Sequence, residues 1–198
     1  MERRRPDSAD LRARLETWQR DAGFSYPEVG ATRTLDGAIP VALTRRYDID
    51  RHEFVIGRGE GCFERAREAL LGWWHFRGVP WLRFVGGETP AHEGQVVASI
   101  VRVLGLWLVN PCRVVYLEPP GEESRRVRFA YGTLPGHVEA GEERFTVTFD
   151  EATGQVRYEI VAFSHPDPLI VRIGRPFARH MQCRFAAASA EALRRAVR

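Results

Sequence analysis

The 198-residue chain contains no lysine, so arginine supplies all 29 of its basic Lys/Arg positions. We attribute this absence to a GC-rich coding bias rather than to a function. The formal net charge is only +3, and acidic and basic residues are mixed along the chain. This mixture excludes the strong positive field of a nucleic-acid-binding protein. The short run Arg3–Arg5 is interpreted as a solvated cluster, the usual state of a charge run.

Cysteine is scarce as well. The three cysteines, Cys62, Cys112 and Cys183, are far apart, and none forms a C-x-x-C pair. Their spacing excludes zinc ribbons and redox dithiols. An odd number of scattered cysteines is typical of a reducing compartment, so a cytoplasmic location is predicted.

Long hydrophobic runs are missing. The most apolar stretch, Val96–Val109, is interrupted by Ser99 and Arg102 and is shorter than the ~20 residues of a membrane span. The charged start, Met1–Asp7, has no apolar run after it, so no signal peptide is predicted. The G-x-S-x-G, P-loop and H-E-x-x-H motifs are absent too. No cofactor, resident metal or nucleic-acid partner is therefore expected.

The composition that remains, 44% hydrophobic and 28% charged residues, is that of a globular protein. We expect an N-terminal helix within residues 1–23 and a single α+β domain over 24–198. The helix is predicted at Ser8–Asp21, capped by Ser8 and carrying Leu11, Leu15 and Trp18 on one face. Residues 24–50 are punctuated by proline and glycine and are expected to be irregular or extended.

Further along the chain, a strand is expected at His52–Ile56 and a second helix at Cys62–Trp74. A long helix is expected at Pro176–Val197, with proline in its favoured first turn. Between the last two helices, β-type alternation predicts strands at Trp81–Val85, Gln95–Val103, Leu106–Val109, Arg113–Glu118, Arg125–Tyr131, Arg144–Phe149 and Val156–Phe163.

Alternation along these strands indicates one buried and one wet face, as in antiparallel sheets. In Arg144–Phe149, for example, aromatic and aliphatic side chains alternate with arginine and threonine. The element order predicts an α+β fold in which a curved antiparallel sheet wraps a long C-terminal helix, the helix-grip or START-like arrangement. A lipocalin-like barrel has a similar strand count, but it does not need the second helix.

Titratable residues concentrate in the stretch Phe129–Phe145. Two apolar ends flank a polar turn that carries His137 and the carboxylates Glu139, Glu142 and Glu143. Histidine with a nearby carboxylate is a general-base arrangement, and Tyr131 is a hydrogen-bond donor beside it. The same groups offer a metal one nitrogen and two oxygens. The alternative is a polar hairpin connection whose charges keep the turn hydrated.

Two further features are candidates for ligand binding. The glycine-rich turn at residues 56–61 lacks the G-x-G-x-x-G spacing, so a tight strand-to-helix turn is favoured, with Arg58 available to an anionic group. The chain is also rich in aromatic residues, which either fill the core or line an apolar pocket. The candidate pocket residues are Trp74, Trp107, Tyr158 and Phe185.

Four segments together resemble the DUF1990 family, also called UPF0548: residues 24–33 (FSYPEVGATR), 57–74, 130–145 (AYGTLPGHVEAGEERF) and 160–166 (IVAFSHP). The resemblance covers roughly residues 20–195. His165 is a departure, because the family pattern implies arginine there, and a cationic role at that position becomes weaker and pH-dependent. The resemblance implies a single domain and importance for Tyr131, His137, Glu139 and Glu143, but no substrate.

Three functions remain open. The first is binding of a small apolar molecule in a pocket between the sheet and the C-terminal helix. This hypothesis expects a cavity with Trp74 or Trp107 on one side and Phe185 on the other. The second is a hydrolase, cyclase or lyase in which His137 is the base and Glu139 or Glu143 orients it. The third is a protein interaction module, which requires an exposed apolar patch on the N-terminal helix.

Overall fold

In the computed structural model, residues 2–121, 125–166 and 175–198 are described. They form five α-helices, a 3-10 turn at Ala31–Thr34 and a seven-stranded antiparallel sheet. The helices are α1 (Ser8–Asp21), α2 (Val41–Thr44), α3 (Glu60–Leu71), α4 (Trp74–Arg77) and α5 (Arg175–Ala196). The strands are β1 (Asp48–Arg58), β2 (Leu82–Val85), β3 (Val96–Val103), β4 (Leu106–Glu118), β5 (Arg126–Thr133), β6 (Glu139–Asp150) and β7 (Gln155–Pro166).

Helix α1 has the predicted bounds but a different cap. Asp7, not Ser8, is the N-cap residue, and its carboxylate accepts a hydrogen bond of 2.8 Å from the backbone N–H of Asp10. The helix packs against β3 and buries Leu11, which is 1% exposed. Since Leu15 and Trp18 are also partly buried, α1 does not offer the exposed apolar patch that the interaction-module hypothesis requires.

The sheet has the strand order β1-β7-β6-β5-β4-β3-β2, with β1 and β2 at its two edges. It is therefore an open sheet of the helix-grip type rather than a lipocalin-like barrel. Register shifts near Val55 in β1 and near Val114 in β4 mark bulges, which bend strands. The α+β fold with a curved sheet and a C-terminal helix is confirmed.

Strand β4 is continuous where two strands were predicted, and Pro111 lies in its middle. The carbonyl of Pro111 accepts a hydrogen bond from Leu134 N–H on the β5 side. Its nitrogen faces the same side, beyond the last β4–β5 pair, Cys112 with Thr133. Proline has no N–H to donate, but β5 no longer pairs with β4 at this position. Strand β4 therefore contains Pro111 without losing an interstrand hydrogen bond.

Helices α3, α4 and α5 pack on the concave face of the sheet and form the main core with it. The predicted second helix ends at Leu71, three residues early, because Trp73 adopts a left-handed backbone conformation with φ 64°. The break turns the chain into α4 and places the Trp73 side chain in the core, where it is fully buried. In the part of the chain that the structure describes, no helix is long and apolar enough to cross a membrane.

The convex face of β5, β6 and β7 is not wet, contrary to the prediction of one wet face. Residues 24–47, which we call the strap, cross it and form a second apolar cluster with Val161 and Phe163. Arg144, on this face of β6, is fully buried and pairs with Asp36 of the strap at 2.7 Å and with Glu159 at 2.9 Å. The buried Arg144 side chain therefore has its partners in the strap and in β7 instead of in water.

Candidate functional site

A pocket of about 210 Å³ lies between the concave face of the sheet and α5. One part of its wall is apolar and comes from the sheet, α4 and α5: Phe76, Trp81, Val101, Leu108, Ile160 and Phe185. The other part is polar and comes mainly from β1, β5 and β6: Asp50, Tyr131, Thr133, His137, Glu139 and Glu143. The pocket therefore has one polar wall, which carries carboxylates, and one apolar wall, which carries aromatic and aliphatic side chains.

Strand β6 produces this polar part through simple alternation. Glu139, Gly141 and Glu143 face the pocket at the start of the strand, and Phe145 continues the same face into the core. The three glutamates therefore belong to a strand, whereas the sequence prediction placed them in a turn. Glu142 faces the opposite side, where its carboxylate accepts hydrogen bonds from Tyr26 Oη at 2.7 Å and from Thr32 N at 3.0 Å.

Glu143 and Tyr131 form a hydrogen-bonded pair across β5 and β6. The Tyr131 hydroxyl donates to Glu143 Oε2 at 2.7 Å. Burial is the main cause that raises the pKa of Glu143 to about 7; the Tyr131 hydrogen bond lowers this pKa, and the neighbouring carboxylates Glu139 and Asp50 add to the increase. A carboxyl with a pKa near neutrality is able to give up or take a proton at physiological pH.

Two contacts join the polar part of the pocket to α5. Gln182 Nε2 donates to both carboxylate oxygens of Glu139, at 3.0 and 3.2 Å. Arg179 Nη1 lies 2.9 Å from Asp50 Oδ1. Burial also raises the pKa of Glu139. The helix therefore carries one neutral and one cationic partner for the carboxylates of the sheet.

His137 lines the pocket, but a backbone group orients its ring. Nδ1 of His137 lies 2.9 Å from both the carbonyl oxygen and the backbone nitrogen of Glu139, so the backbone of Glu139 holds this ring nitrogen in either tautomer. Burial lowers the pKa of His137 to about 4. The enzyme hypothesis expected the carboxylate of Glu139 or Glu143 to orient this ring, and the structure places the Glu139 backbone there. Among the described residues, no group of His, Cys, Asp and Glu is arranged to hold a metal.

The remaining predicted ligand-binding residues are distributed differently. Phe185 lines the pocket. Tyr158 is buried next to Ser189, with its hydroxyl 3.3 Å from Ser189 Oγ. Arg58 donates to the carbonyl of Thr153 at 3.1 Å.

Two of the predicted tryptophans lie outside the pocket wall. Trp74 is 50% exposed and borders a separate surface groove between α3, α4 and α5. The Trp107 ring lies near the guanidinium groups of Arg5 and Arg102. The tryptophan among the described lining residues is Trp81, where Trp74 or Trp107 was expected.

Sequence reasoning missed several polar residues at the site, among them Asp50, Asn110 and Gln182. The first two are inward positions of strands β1 and β4, and both side chains are more than nine-tenths buried. The sequence pattern could have identified Asn110, since it is two residues from Leu108 and two from Cys112 and therefore lies on the same inward face of the strand. Gln182 was not recognisable, because a polar residue on a long helix is ordinarily exposed.

Comparison of the sequence with known proteins shows similarity to one protein family. The model of the family described as "Domain of unknown function (DUF1990)" matches residues 25–192. A UPF0548 protein of Dictyostelium discoideum is 30% identical, covering 98% of this chain and 94% of the relative. A UPF0548 protein of Deinococcus radiodurans is 35% identical over 90% of this chain and 86% of the relative.

Solved structures show the same fold at low identity. A hypothetical protein from Helicobacter pylori superposes with a TM-score of 0.55 at 10% identity, covering 89% of this chain and 96% of that one. An aromatase/cyclase from a Streptomyces species superposes with a TM-score of 0.52 at 13% identity, covering 77% of this chain and 94% of that one. These likenesses concern the fold alone.

Proposed function

The chain belongs to the DUF1990 family, whose description assigns no function, and from the geometry of its pocket we propose that it binds a small, largely apolar molecule between the sheet and α5. The observation that carries this proposal is the pocket itself. Protein interiors are close-packed and contain few voids larger than a water molecule. An apolar cavity of about 150 Å³ is enough to bind benzene, and the pocket here measures about 210 Å³.

The composition of the wall supports the same proposal. Ligand sites are typically apolar with a few placed polar groups that fix orientation. Here Trp81, Leu108 and Phe185 supply the apolar surface, and the Tyr131–Glu143 pair supplies an orienting polar group. The three free cysteines, of which Cys183 is exposed, support our proposal of a cytoplasmic location.

A pocket-filling variant tests the binding proposal. Ala162 lies on the pocket wall in β7, and Ala162→Phe places an aromatic ring in the space. With 3-phenylpropanol as a neutral probe, calorimetric titration of the wild-type protein is expected to give a measurable affinity, and Ala162→Phe is expected to weaken it at least tenfold. The matched control is Ala187→Phe at an exposed position of α5. Equal affinities in all three proteins would contradict binding in this pocket.

A second candidate function is acid–base catalysis in the same pocket. It is favoured by one observation, the raised pKa of about 7 at Glu143 beside a tyrosine hydroxyl. Perturbed carboxyls of this kind are characteristic of general acids and bases, although structural networks perturb them too. In this role Glu143 exchanges the proton, Tyr131 holds its carboxylate, and His137 lines the same pocket as a further hydrogen-bonding group. The aromatase/cyclase of the same fold is an enzyme by its name.

The catalytic proposal is tested by turnover in a metabolite extract. Wild-type protein is incubated with the extract, and mass spectrometry follows substrates that disappear and products that accumulate. Glu143→Gln is expected to abolish any such change, and Glu93→Gln, at an exposed position, is expected to retain it. If no compound changes with the wild-type protein, or if Glu143→Gln is as active as wild type, Glu143 is not a catalytic acid or base.

A further inference from the structure

The polar part of the pocket is rich in hydrogen-bond acceptors and poor in cations. Asp50, Glu139 and Glu143 all line it, and no arginine is among the described lining residues. Arg179 compensates Asp50 from the side of α5. Gln182, the partner of Glu139, is neutral, and so is Tyr131, the partner of Glu143. Among the described residues, Glu139 and Glu143 therefore face the pocket without a cationic partner.

An uncompensated carboxylate in an apolar pocket is costly, since water is replaced by hydrocarbon around the charge. A bound cation offsets that cost, provided that it also hydrogen-bonds the free oxygens. The hydrogen bonds among the described residues leave such acceptors available. Tyr131 occupies Oε2 of Glu143 with one hydrogen bond, whereas a carboxylate has about four acceptor positions.

Asn110 gives an independent indication that a polar ligand group belongs in this pocket. Its side chain lines the pocket and is only 7% exposed, yet its Oδ1 atom has no hydrogen-bond partner. A buried amide oxygen without a partner costs about 1–3 kcal/mol. Asn110 lies on β4, separated from Glu143 by strand β5. It therefore offers an acceptor to a second donor group, or to the other end of a ligand held at Glu143.

We propose that the pocket selects amphipathic amines, with the ammonium group between Glu139 and Glu143 and the apolar body against Trp81, Leu108 and Phe185. This inference rests on the proposed binding function and names the chemical class of its ligand. An alkylammonium group has up to three N–H donors and no acceptor, which matches a wall that offers acceptors. A carboxylate ligand of the same size is repelled by the same wall.

Three probes with one carbon skeleton isolate the contribution of the head group. These are 3-phenylpropylamine, 3-phenylpropanol and 3-phenylpropanoate, titrated calorimetrically into the full-length protein at pH 8, where the amine is cationic. The amine is expected to bind at least tenfold more tightly than the alcohol, and the carboxylate is expected to bind at least tenfold more weakly than the alcohol. Equal affinity for the amine and the alcohol, or preference for the carboxylate, would overturn the assignment.

Two variants show whether the pocket carboxylates cause the selectivity. Glu139→Gln and Glu143→Gln are each expected to lower the affinity for the amine at least fivefold more than they lower the affinity for the alcohol. Glu93→Gln, at an exposed position, is expected to change neither. Loss of affinity for the amine and the alcohol together would indicate damage to the pocket rather than loss of charge recognition, and would count against the assignment.

Failure of this inference is distinguishable from failure of the proposed function. If the alcohol binds in a way that Ala162→Phe abolishes, but the amine has no advantage, the pocket binds ligands and the amine assignment is wrong. If none of the three probes binds at millimolar concentration, both proposals fail together.

Discussion

Two titratable residues on the concave side, Glu143 and His75, have pKa values that burial shifts, and each shift has a measurable consequence. Glu143 faces the pocket and has one hydrogen-bond donor. His75 lies in the core among aromatic rings, fully buried, with no partner for either ring nitrogen. Burial raises the pKa of the acid and lowers that of the base, so the two residues act on stability in opposite directions as pH changes.

Glu143→Gln is expected to stabilise the protein increasingly as pH rises from 4.5 to 7. The ordinary pKa of 4.5 applies to the unfolded chain, and the folded value is about 7. Between these values the folded state holds a proton that the unfolded state has released, so wild-type stability falls as pH rises. The variant should gain roughly 2 kcal/mol over wild type across this window. Urea unfolding at several pH values measures the gain, and a pH-independent difference would contradict it.

His75→Phe is expected to reduce the sensitivity of the protein to acid. The pKa of His75 is lowered to about 3 from 6.5 because the ring is buried. The unfolded state therefore binds a proton below pH 6.5 that the folded state refuses until about pH 3, and stability is lost as pH falls through this range. The variant should also gain about 1 kcal/mol at pH 7, since no ring nitrogen is left unpaired.

Thermal unfolding between pH 4 and 7 measures the effect of His75→Phe. His180→Phe, at an exposed position of α5, is the matched control and should leave the acid sensitivity unchanged. A variant that is as acid-sensitive as wild type would show that His75 does not resist protonation in the folded protein.

Among the elements, strand β6 has the central role because both of its faces are buried. Its concave face carries Glu139 and Glu143, and its convex face carries Glu142 and Arg144 under the strap. The strap holds the strand through Tyr26 and Thr32. Fixing the outer residues fixes the inner ones, since neighbouring strand residues point to opposite sides.

Tyr26→Phe is expected to destabilise the protein by about 1–2 kcal/mol, because it leaves the buried Glu142 carboxylate with one hydrogen bond fewer. The hydroxyl of Tyr26 donates to Glu142 Oε2 at 2.7 Å. Chemical denaturation measures the loss. Glu142→Gln should cost less in the Tyr26→Phe background than in wild type, since the two residues share one interaction. Fully additive losses would contradict the proposed contact.

Gly141→Ala is expected to separate β6 from β7 at the pocket. A Cβ atom at this position would lie 1.9 Å from the carbonyl oxygen of Phe163, a backbone atom that cannot rotate away. The expected loss is more than about 2 kcal/mol of stability, because a steric clash in the sheet displaces backbone. Gly37→Ala is the matched control, since its added Cβ meets nothing within 4 Å. Similar melting temperatures for the two variants would contradict the close strand approach.

The sequence predicted the elements that are regular and missed those that depend on distant contacts. Helix α1 and the inward residues of β6 follow from hydrophobic periodicity, and the structure has them as expected. The strap was not predicted to cover the sheet, because its residues have no periodic pattern and its ion pair from Asp36 to Arg144 joins distant parts of the chain. The break at Trp73 was missed for a similar reason, since tryptophan rarely adopts a positive φ.

The site was predicted only in part, because it too depends on contacts between residues that are distant in the sequence. The motif around residues 131–143 directed attention to Tyr131, His137, Glu139 and Glu143, and all four side chains line one pocket. Which carboxylate contacts which donor did not follow from spacing, because the Glu143–Tyr131 bond depends on the register of β5 and β6. Trp74 and Trp107 were predicted to line the pocket because they are aromatic. Their positions depend on where α4 begins and on the turn between β3 and β4, which the sequence pattern did not define.

In the molecule as a whole, other elements cover both faces of the sheet, and a pocket lies between its concave face and α5. The strap occupies the convex side, and α3, α4 and α5 occupy the concave side. A pocket that is open to ligand is the simplest reason for leaving that space unfilled, since filling a cavity ordinarily stabilises a protein. Occupation of this pocket is the central claim.

Amide chemical-shift mapping of the ¹⁵N-labelled full-length protein with 3-phenylpropanol tests that claim most directly. Saturable shifts are expected to cluster on the pocket-lining residues of β5, β6, β7 and α5, including Glu143, Ser164 and Phe185, and Ala162→Phe is expected to remove them. Shifts centred on the Trp74 groove, or no saturable shifts at millimolar probe, would contradict it.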